Sequence, residues 1–272
     1  MAQPRNGSAG DGVIPGTRAF TARSVVASTL LGMSPPKLSS QLLVRSGELF
    51  GIAEGTTRVA LSRMVAAGEL EVVGGSYQLA GHLLARQERQ IASRSHAPAR
   101  RRWSGDWELR LVVGGRRPAR ARSELREAMR QLGLAEAREG VWLRPANLDP
   151  ERLPEARAVV ADQCSAYTGR PDDEEPATLT ARLWDLDGWA RTADELRRLM
   201  AGDVDRLEAG DTSALAPTFV VSAAVLRHLV ADPQLPAVLC PDGWPGDALR
   251  DDYERFDVAF KQVWRDWFRR QR

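Results

Sequence analysis

The stretch from Gly51 to Leu70, GIAEGTTRVALSRMVAAGEL, followed at once by EVVGGSYQL, constrains this chain more than any other. From Thr57 the less polar residues recur at Ala60, Leu61, Met64 and Val65, the spacing of a single buried helical stripe. At about 100° per residue, the opposite face carries Gly55, Thr56, Val59, Ser62 and Arg63, with Arg58 at its flank. That face is small, hydrogen-bonding and cationic, unlike the Glu and Lys mixture of an ordinary solvated helix. Small residues let a helix approach a groove closely. Arg bonds guanine or phosphate, Ser and Thr bond either, and an exposed Val methyl meets a thymine methyl. Gly68 is placed to end the helix in a left-handed conformation.

The flanking residues extend the pattern. Ser39 or Ser40 caps a helix running to about Phe50, with Leu42, Leu43, Leu49 and Phe50 available to pack. Before it, Ala22 to Leu31 reads as a short helix stopped by Gly32 and the Pro35-Pro36 pair. After the third helix, Leu70, Val72, Tyr77 and Leu79 alternate around Gly74-Gly75, a pair that tolerates the positive φ of a two-residue hairpin loop. Helix, helix, turn, helix and ribbon in that order predict a winged helix-turn-helix, and with it a nucleic-acid partner.

Length and charge point to more than one unit. The chain has 272 residues, enough for about two domains with cores of their own. Up to Arg102 there are 13 Lys and Arg against 6 Asp and Glu, a charge of +7, while the rest carries −5. A basic front on a slightly acidic remainder suits a DNA-reading head on a body with another task. The preference for Arg over Lys carries no functional weight.

Other features set expectations by what is missing. A run of about 18 apolar residues, the signature of a membrane-spanning helix, is not evident. MAQPRNGSAGDGVIPG has no apolar core of a secretory signal and reads as a disordered tail. Cys164 and Cys240 lie far apart without CxxC spacing, and His82, His96 and His228 do not cluster. The expectation is a soluble cytoplasmic protein without a metal, a cofactor or a disulfide framework.

Beyond the hairpin, Leu83 to about Ser93 predicts a linking helix, and SRSHAPARRR a basic connector. Its Arg100-Arg101-Arg102 run reads equally as a phosphate contact or a solvated linker. Trp107 to Val113 alternates like a strand, Ser123 to Leu132 is amphipathic, and Gly140 to Leu143 reads as a second strand, a β-α-β start. After the acidic loop Pro171 to Pro176, helices are expected over Leu186 to Leu207, Thr218 to Val230 and Asp247 to Arg270.

Several blocks together resemble the PaaX-like repressors of bacterial phenylacetate degradation operons. They are ARSVVASTLLG, GELFGIAEGTTRVALSRMVAAGELE, WSGDWELRLVV, LWDLDGWA from Leu183 to Ala190, and DPQLPAVLCPDGWPG from Asp232 to Gly246. The resemblance implies an α+β multidomain fold. A winged helix-turn-helix would span 20–93, a central ferredoxin-like (Cas2-like) domain 103–180, and a mainly helical C-terminal domain 181–272. It further implies a homodimeric repressor of double-stranded operator DNA, released by phenylacetyl-CoA or a related acyl-CoA thioester. The family's recognition helix falls on Glu54 to Ala67, so Thr56, Thr57, Arg58, Ser62 and Arg63 form the DNA-contacting set, although the phase of Thr57 also places it on the buried side. The wing tip, Val73 to Ser76, carries no Arg or Lys.

An enzymatic alternative is a Cas2-like metal-dependent nuclease, which needs carboxylate oxygens to hold Mg²⁺ beside a phosphate. In the family the first central strand usually runs into an aspartate, whereas here Gly114 and Gly115 stand at that point. Nuclease activity is therefore not expected. Arg116 and Arg117 read either as phosphate-attracting or as an ordinary basic loop. An effector-independent DNA-binding protein is the other alternative. Trp103, Trp107, Trp142, Trp184, Trp189, Trp244, Trp264 and Trp267 all lie outside the predicted head. They either sandwich an aryl group or staple the core, so no effector residue is assigned.

Overall fold

The computed structural model describes residues 21–94, 102–115 and 117–271. The N-terminal tail, His96, Arg100, Arg101 and Arg116 lie outside the described residues. The first helix, α1 (Ala22–Leu31), opens with a reciprocal cap. The Ser24 amide donates to Thr21 Oγ1 at 3.2 Å and the Thr21 amide to Ser24 Oγ at 2.9 Å. A short strand, β1 (Lys37–Ser39), leads into α2 (Ser40–Glu48). Ser39 is the cap, its hydroxyl accepting from the Leu42 amide at 3.3 Å.

After α2 come α3 (Glu54–Ala66), β2 (Leu70–Val73), β3 (Ser76–Leu79) and α4 (Gly81–Arg94). Gly74 and Gly75 have φ of 58° and 73°, the two positive values that a two-residue hairpin turn of the primed type requires. The sheet runs β1-β3-β2, all antiparallel. β1 has no counterpart in the sequence reading, because three residues are too few to show a period.

The central part follows the order β4 (Trp107–Val112), α5 (Ala119–Gln131), β5 (Ala135–Arg138), β6 (Val141–Pro145), α6 (Pro154–Gln163) and β7 (Cys164–Gly169). Its strands lie β5-β6-β4-β7 and every neighbouring pair is antiparallel. Leu125 and Met129 of α5, Trp142 of β6 and Val160 of α6 form its core.

Four helices follow: α7 (Pro176–Leu183), α8 (Leu186–Glu208), α9 (Leu215–Val230) and α10 (Gly246–Arg270). Asp185 caps α8 by accepting from the Gly188 amide at 2.9 Å. The fold is thus a mixed α+β one, mostly helical, with two small antiparallel sheets. Among the described residues one segment, Thr212–Val230, has the length and a mean hydropathy of 1.5 that a membrane-spanning helix shows, although Thr, Ser, Arg and His interrupt it at 218, 222, 227 and 228. Leu215, Phe219, Val225 and Leu229 from this segment fill the protein core, which accounts for its apolar composition.

That core is continuous from the first helices to the last. Leu30, Leu61 and Met64 belong to the same apolar cluster as Phe219, Phe256 and Trp264. Two buried guanidiniums bind the remaining parts together. Arg144 donates to the Pro145 carbonyl at 3.0 Å and to Asn147 Oδ1 at 2.9 Å, and Asn147 Nδ2 donates to the Gln234 carbonyl at 2.9 Å. Arg250 pairs with Asp232 at 2.6 Å and donates to the Ser93 carbonyl at 3.0 Å, so α10 holds the end of α4. Both buried guanidiniums are thus hydrogen-bonded, without which their desolvation would go uncompensated.

Candidate nucleic-acid interface

The third helix is held by three fully buried side chains, Thr57, Leu61 and Met64. Val65 is exposed and Ala60 only half-buried, so the inward stripe is narrower than the sequence spacing suggests. Thr57 is 0% exposed and packs where α2 crosses α3. A Cβ on Gly47 would stand 2.5 Å from Thr57 Oγ1, so the two helices meet at a point where only glycine fits. Thr57 therefore leaves the DNA-contacting set, because its side chain faces the core.

The other four members share the outer surface. Thr56, Arg58, Ser62 and Arg63 are all exposed, with Gly55 and Val59 between them. They differ in freedom. Arg58 Nε pairs with Glu54 Oε1 at 2.7 Å, and the Ser62 hydroxyl donates to the Arg58 carbonyl at 3.2 Å. Arg63 has no ion-pair partner among the described residues. It is the guanidinium on this face most available to a base or a phosphate.

The C-terminal end of the helix is fixed. At its end the Gly68 amide donates to the Val65 carbonyl at 3.0 Å and the Glu69 amide to the Met64 carbonyl at 2.9 Å, a Schellman closure with Gly68 at φ 68°. Glu69 is buried and accepts both ends of the Arg23 guanidinium, with Nε to Oε2 at 2.9 Å. His82 stands 3.6 Å from the same carboxylate. The bond from Arg23 holds the Glu69 carboxyl below the ordinary range, outweighing its burial, and His82 acts in the same direction. Helix α1 is thereby locked to the base of the ribbon.

One cation near the wing is not visible in the local sequence. The tip carries none of its own, yet β1 pairs Lys37 with Gln78, and the Lys37 ammonium stands 3.9 Å from where a Cβ on Gly74 would lie. Pairing of a distant strand supplies it. The signal available beforehand was only a lone Lys before a cap.

Elsewhere the sequence candidates acquire structural partners. Arg117 donates to the carbonyls of Val113 and Gln163, the latter at 3.1 Å, and so secures the ends of the central strands. Gly114 and Gly115 are exposed and offer no side-chain oxygen. Among the described residues no group of three or more His, Cys, Asp or Glu is arranged to hold a metal ion. Cys164 is a buried free thiol. Trp107 packs between Trp103 and Trp184 at centroid distances of 6.3 and 6.4 Å, joining the WSGDW and LWDLDGW blocks. Trp189 stacks on His228 at 4.3 Å and on Trp244 at 4.5 Å.

The head thus defines a class of protein that presents a small-faced helix beside a short ribbon. A family model described as PaaX-like protein matches residues 21–83. Among solved structures, an uncharacterized protein, Rv0674, from Mycobacterium tuberculosis is 40% identical, with 89% of this chain and 97% of that chain covered and a TM-score of 0.65. No curated protein matches the chain. The chain belongs to the PaaX-like family, whose members are generally regulators rather than enzymes.

Proposed function

We propose that this protein is a transcriptional repressor whose residues 20–93 form a winged helix-turn-helix, 103–180 a ferredoxin-like central domain, and 181–272 a helical C-terminal domain. The observation that carries this reading is the outer face of α3. Thr56, Ser62 and Arg63 stand exposed on a helix whose other side is fixed in the core, beside a ribbon with Lys37 at its tip. Such a face suits the major groove, with Arg63 and Arg58 reaching a base edge or phosphate and the ribbon lying against the backbone. The β-α-β-β-α-β order and the strand arrangement β5-β6-β4-β7 support the ferredoxin-like assignment.

A homodimer would set two copies of α3 into successive major grooves, about 10 base pairs apart or a multiple of that. The effector is an acyl-CoA thioester, phenylacetyl-CoA or a relative, that prefers an arrangement of the heads unable to match the operator. Such a ligand acts only through its differential affinity for the two arrangements, and tenfold release requires about 1.4 kcal/mol of coupling. A Cas2-like nuclease is disfavoured because Gly114 and Gly115 supply no ligand for Mg²⁺.

The test is a gel-shift titration on the DNA upstream of the protein's own gene, with a panel of acyl-CoA thioesters. Sequence-specific retardation relieved by one thioester is expected. Absence of specific binding would refute the repressor reading, and binding indifferent to every thioester would refute the effector alone.

A further inference from the structure

Between the first helices and the last lies a cavity of about 320 Å³, within the usual size of small-molecule sites. Helices α1 and α4 form one wall, α9 and α10 the other. The apolar lining comes chiefly from Phe219, Phe260, Trp264 and Phe268, and Trp264 stands 6.1 Å from Phe260 and 5.0 Å from Phe268 between ring centroids. Trp264 is the member of the eight tryptophans that lines this space.

The charged lining is unbalanced. Asp257 is its one carboxylate, and Arg94 and Lys261 both pair with it, Lys261 at 2.7 Å. Arg94 also lies over the Tyr253 ring, 5.0 Å from its centroid. Arg86 and Arg265 add two more cations, and neither has an ion-pair partner among the described residues. Burial and the nearby Arg227, Arg89 and Arg23 pull Arg86 below the usual guanidinium range, an environment that an anion would relieve. Thr29 and Gln90, both more than nine-tenths buried, also line the cavity, and Thr29 Oγ1 and Gln90 Oε1 have no hydrogen-bond partner. A wall of aromatic rings beside surplus cations and unspent acceptors is poor core packing and good ligand chemistry.

We infer that this cavity binds a small molecule with an aromatic or similarly apolar group and an anionic group, the first against Phe260 and Trp264 and the second beside Arg86 and Arg265. The position gives the ligand access to α3. Phe219 touches Phe50 with ring centroids 4.9 Å apart, and Phe50 lies just before α3 begins. An occupant that repositions Phe219 therefore shifts the support of the DNA-facing helix. This consequence rests on the repressor reading above, whereas ligand binding itself does not.

A ring and an anion side by side fit a free aromatic acid, whereas the acyl end of a thioester offers the ring but carries its charge on distant phosphates, so the test uses both. The full chain is titrated with 8-anilinonaphthalene-1-sulfonate, phenylacetate and phenylacetyl-CoA, each by calorimetry and by displacement of the sulfonate's fluorescence. One saturable site is expected. Ala223→Trp, which fills the cavity from α9, weakens the sulfonate at least tenfold, and Leu226→Trp serves if that variant does not fold. Arg86→Gln combined with Arg265→Gln weakens the sulfonate several-fold but leaves the uncharged N-phenyl-1-naphthylamine within twofold. Displacement by phenylacetate assigns the free acid, and displacement by phenylacetyl-CoA alone assigns the thioester. Unchanged sulfonate binding in a filled variant with the wild-type melting temperature would overturn the inference. Gel shifts on the same variants keep the two readings apart: sulfonate binding at the cavity in a protein that never binds DNA would sink the repressor and leave the site.

Discussion

Gly47→Ala probes the contact that sets α3 against α2. The added Cβ would lie 2.5 Å from Thr57 Oγ1 and 3.6 and 3.7 Å from Thr57 Cβ and Cγ2, so only the hydroxyl is overrun. Alanine gains about 1 kcal/mol of helix propensity over glycine. Overpacking a filled core costs about 1–3 kcal/mol. Because Thr57 is 0% exposed, the steric cost falls in the upper part of that range, about 2–3 kcal/mol, and after the propensity gain a net loss of about 1–2 kcal/mol is expected. For a chain of this size that is a fall in melting temperature of about 2–8 °C, read by circular dichroism. Thr57→Ala in the same background removes the overrun atom and restores most of the loss, giving a coupling in the double-mutant cycle. Gly55→Ala is the counterpart. Nothing lies within 4 Å of its Cβ position, so stability stays level or rises by about 0.4–1 kcal/mol, while the methyl on the exposed face weakens DNA binding. Wild-type stability in Gly47→Ala, or failure of Thr57→Ala to restore it, would refute the close crossing.

Further outcomes follow from single contacts. Arg63→Ala should cost about 1–3 kcal/mol of operator affinity and relax the preference at one base pair, measured by fluorescence anisotropy on systematically altered operators; equal loss on all sequences would make Arg63 a phosphate contact instead. Arg250→Met strands Asp232, whose side chain is 2% exposed, and should destabilise by about 3–5 kcal/mol in urea unfolding. Arg197→Met, at the partly exposed pair with Asp252, should cost under about 1 kcal/mol, and an equal effect at both sites would contradict the burial argument. His228 is pulled below its ordinary pKa by burial, against the opposing pull of the Trp189 carbonyl and Asp232. The folded protein thus favours the neutral ring, so this stability is present above about pH 6.5 and is lost as the pH falls toward the lower folded value. His228→Gln should flatten the decline of melting temperature between about pH 7 and 5; an unchanged slope would remove His228 as its source.

Much of the head and the C-terminal helices is legible because their signals are local. A capping Thr or Ser, an apolar stripe at helical spacing and a Gly-Gly turn act within a few residues, and the predicted Ala22–Leu31 helix occupies that span in the structure. The central strands are less legible. The exposed middle of β7 and the polar AEAR of β5 carry little apolar alternation, since their faces are decided by neighbours far away in the chain. The same limit explains Thr57 and Val65. Helical phase marks both as inward, but only Thr57 meets a neighbouring helix, at Gly47, while Val65 stays exposed.

Local chemistry in the sequence determined that a short helix with a small, cationic face would precede a tight hairpin, and that long amphipathic helices would close the chain. Those features depend on steric and capping preferences between near neighbours. Tertiary structure decided which side chains that face presents, brought Lys37 to the ribbon tip, and set Arg86 opposite the aromatic wall of α10. Such juxtapositions join residues as much as about 240 positions apart, as Thr29 and Phe268 show. They arise from how whole helices pack, and no window along the sequence contains them.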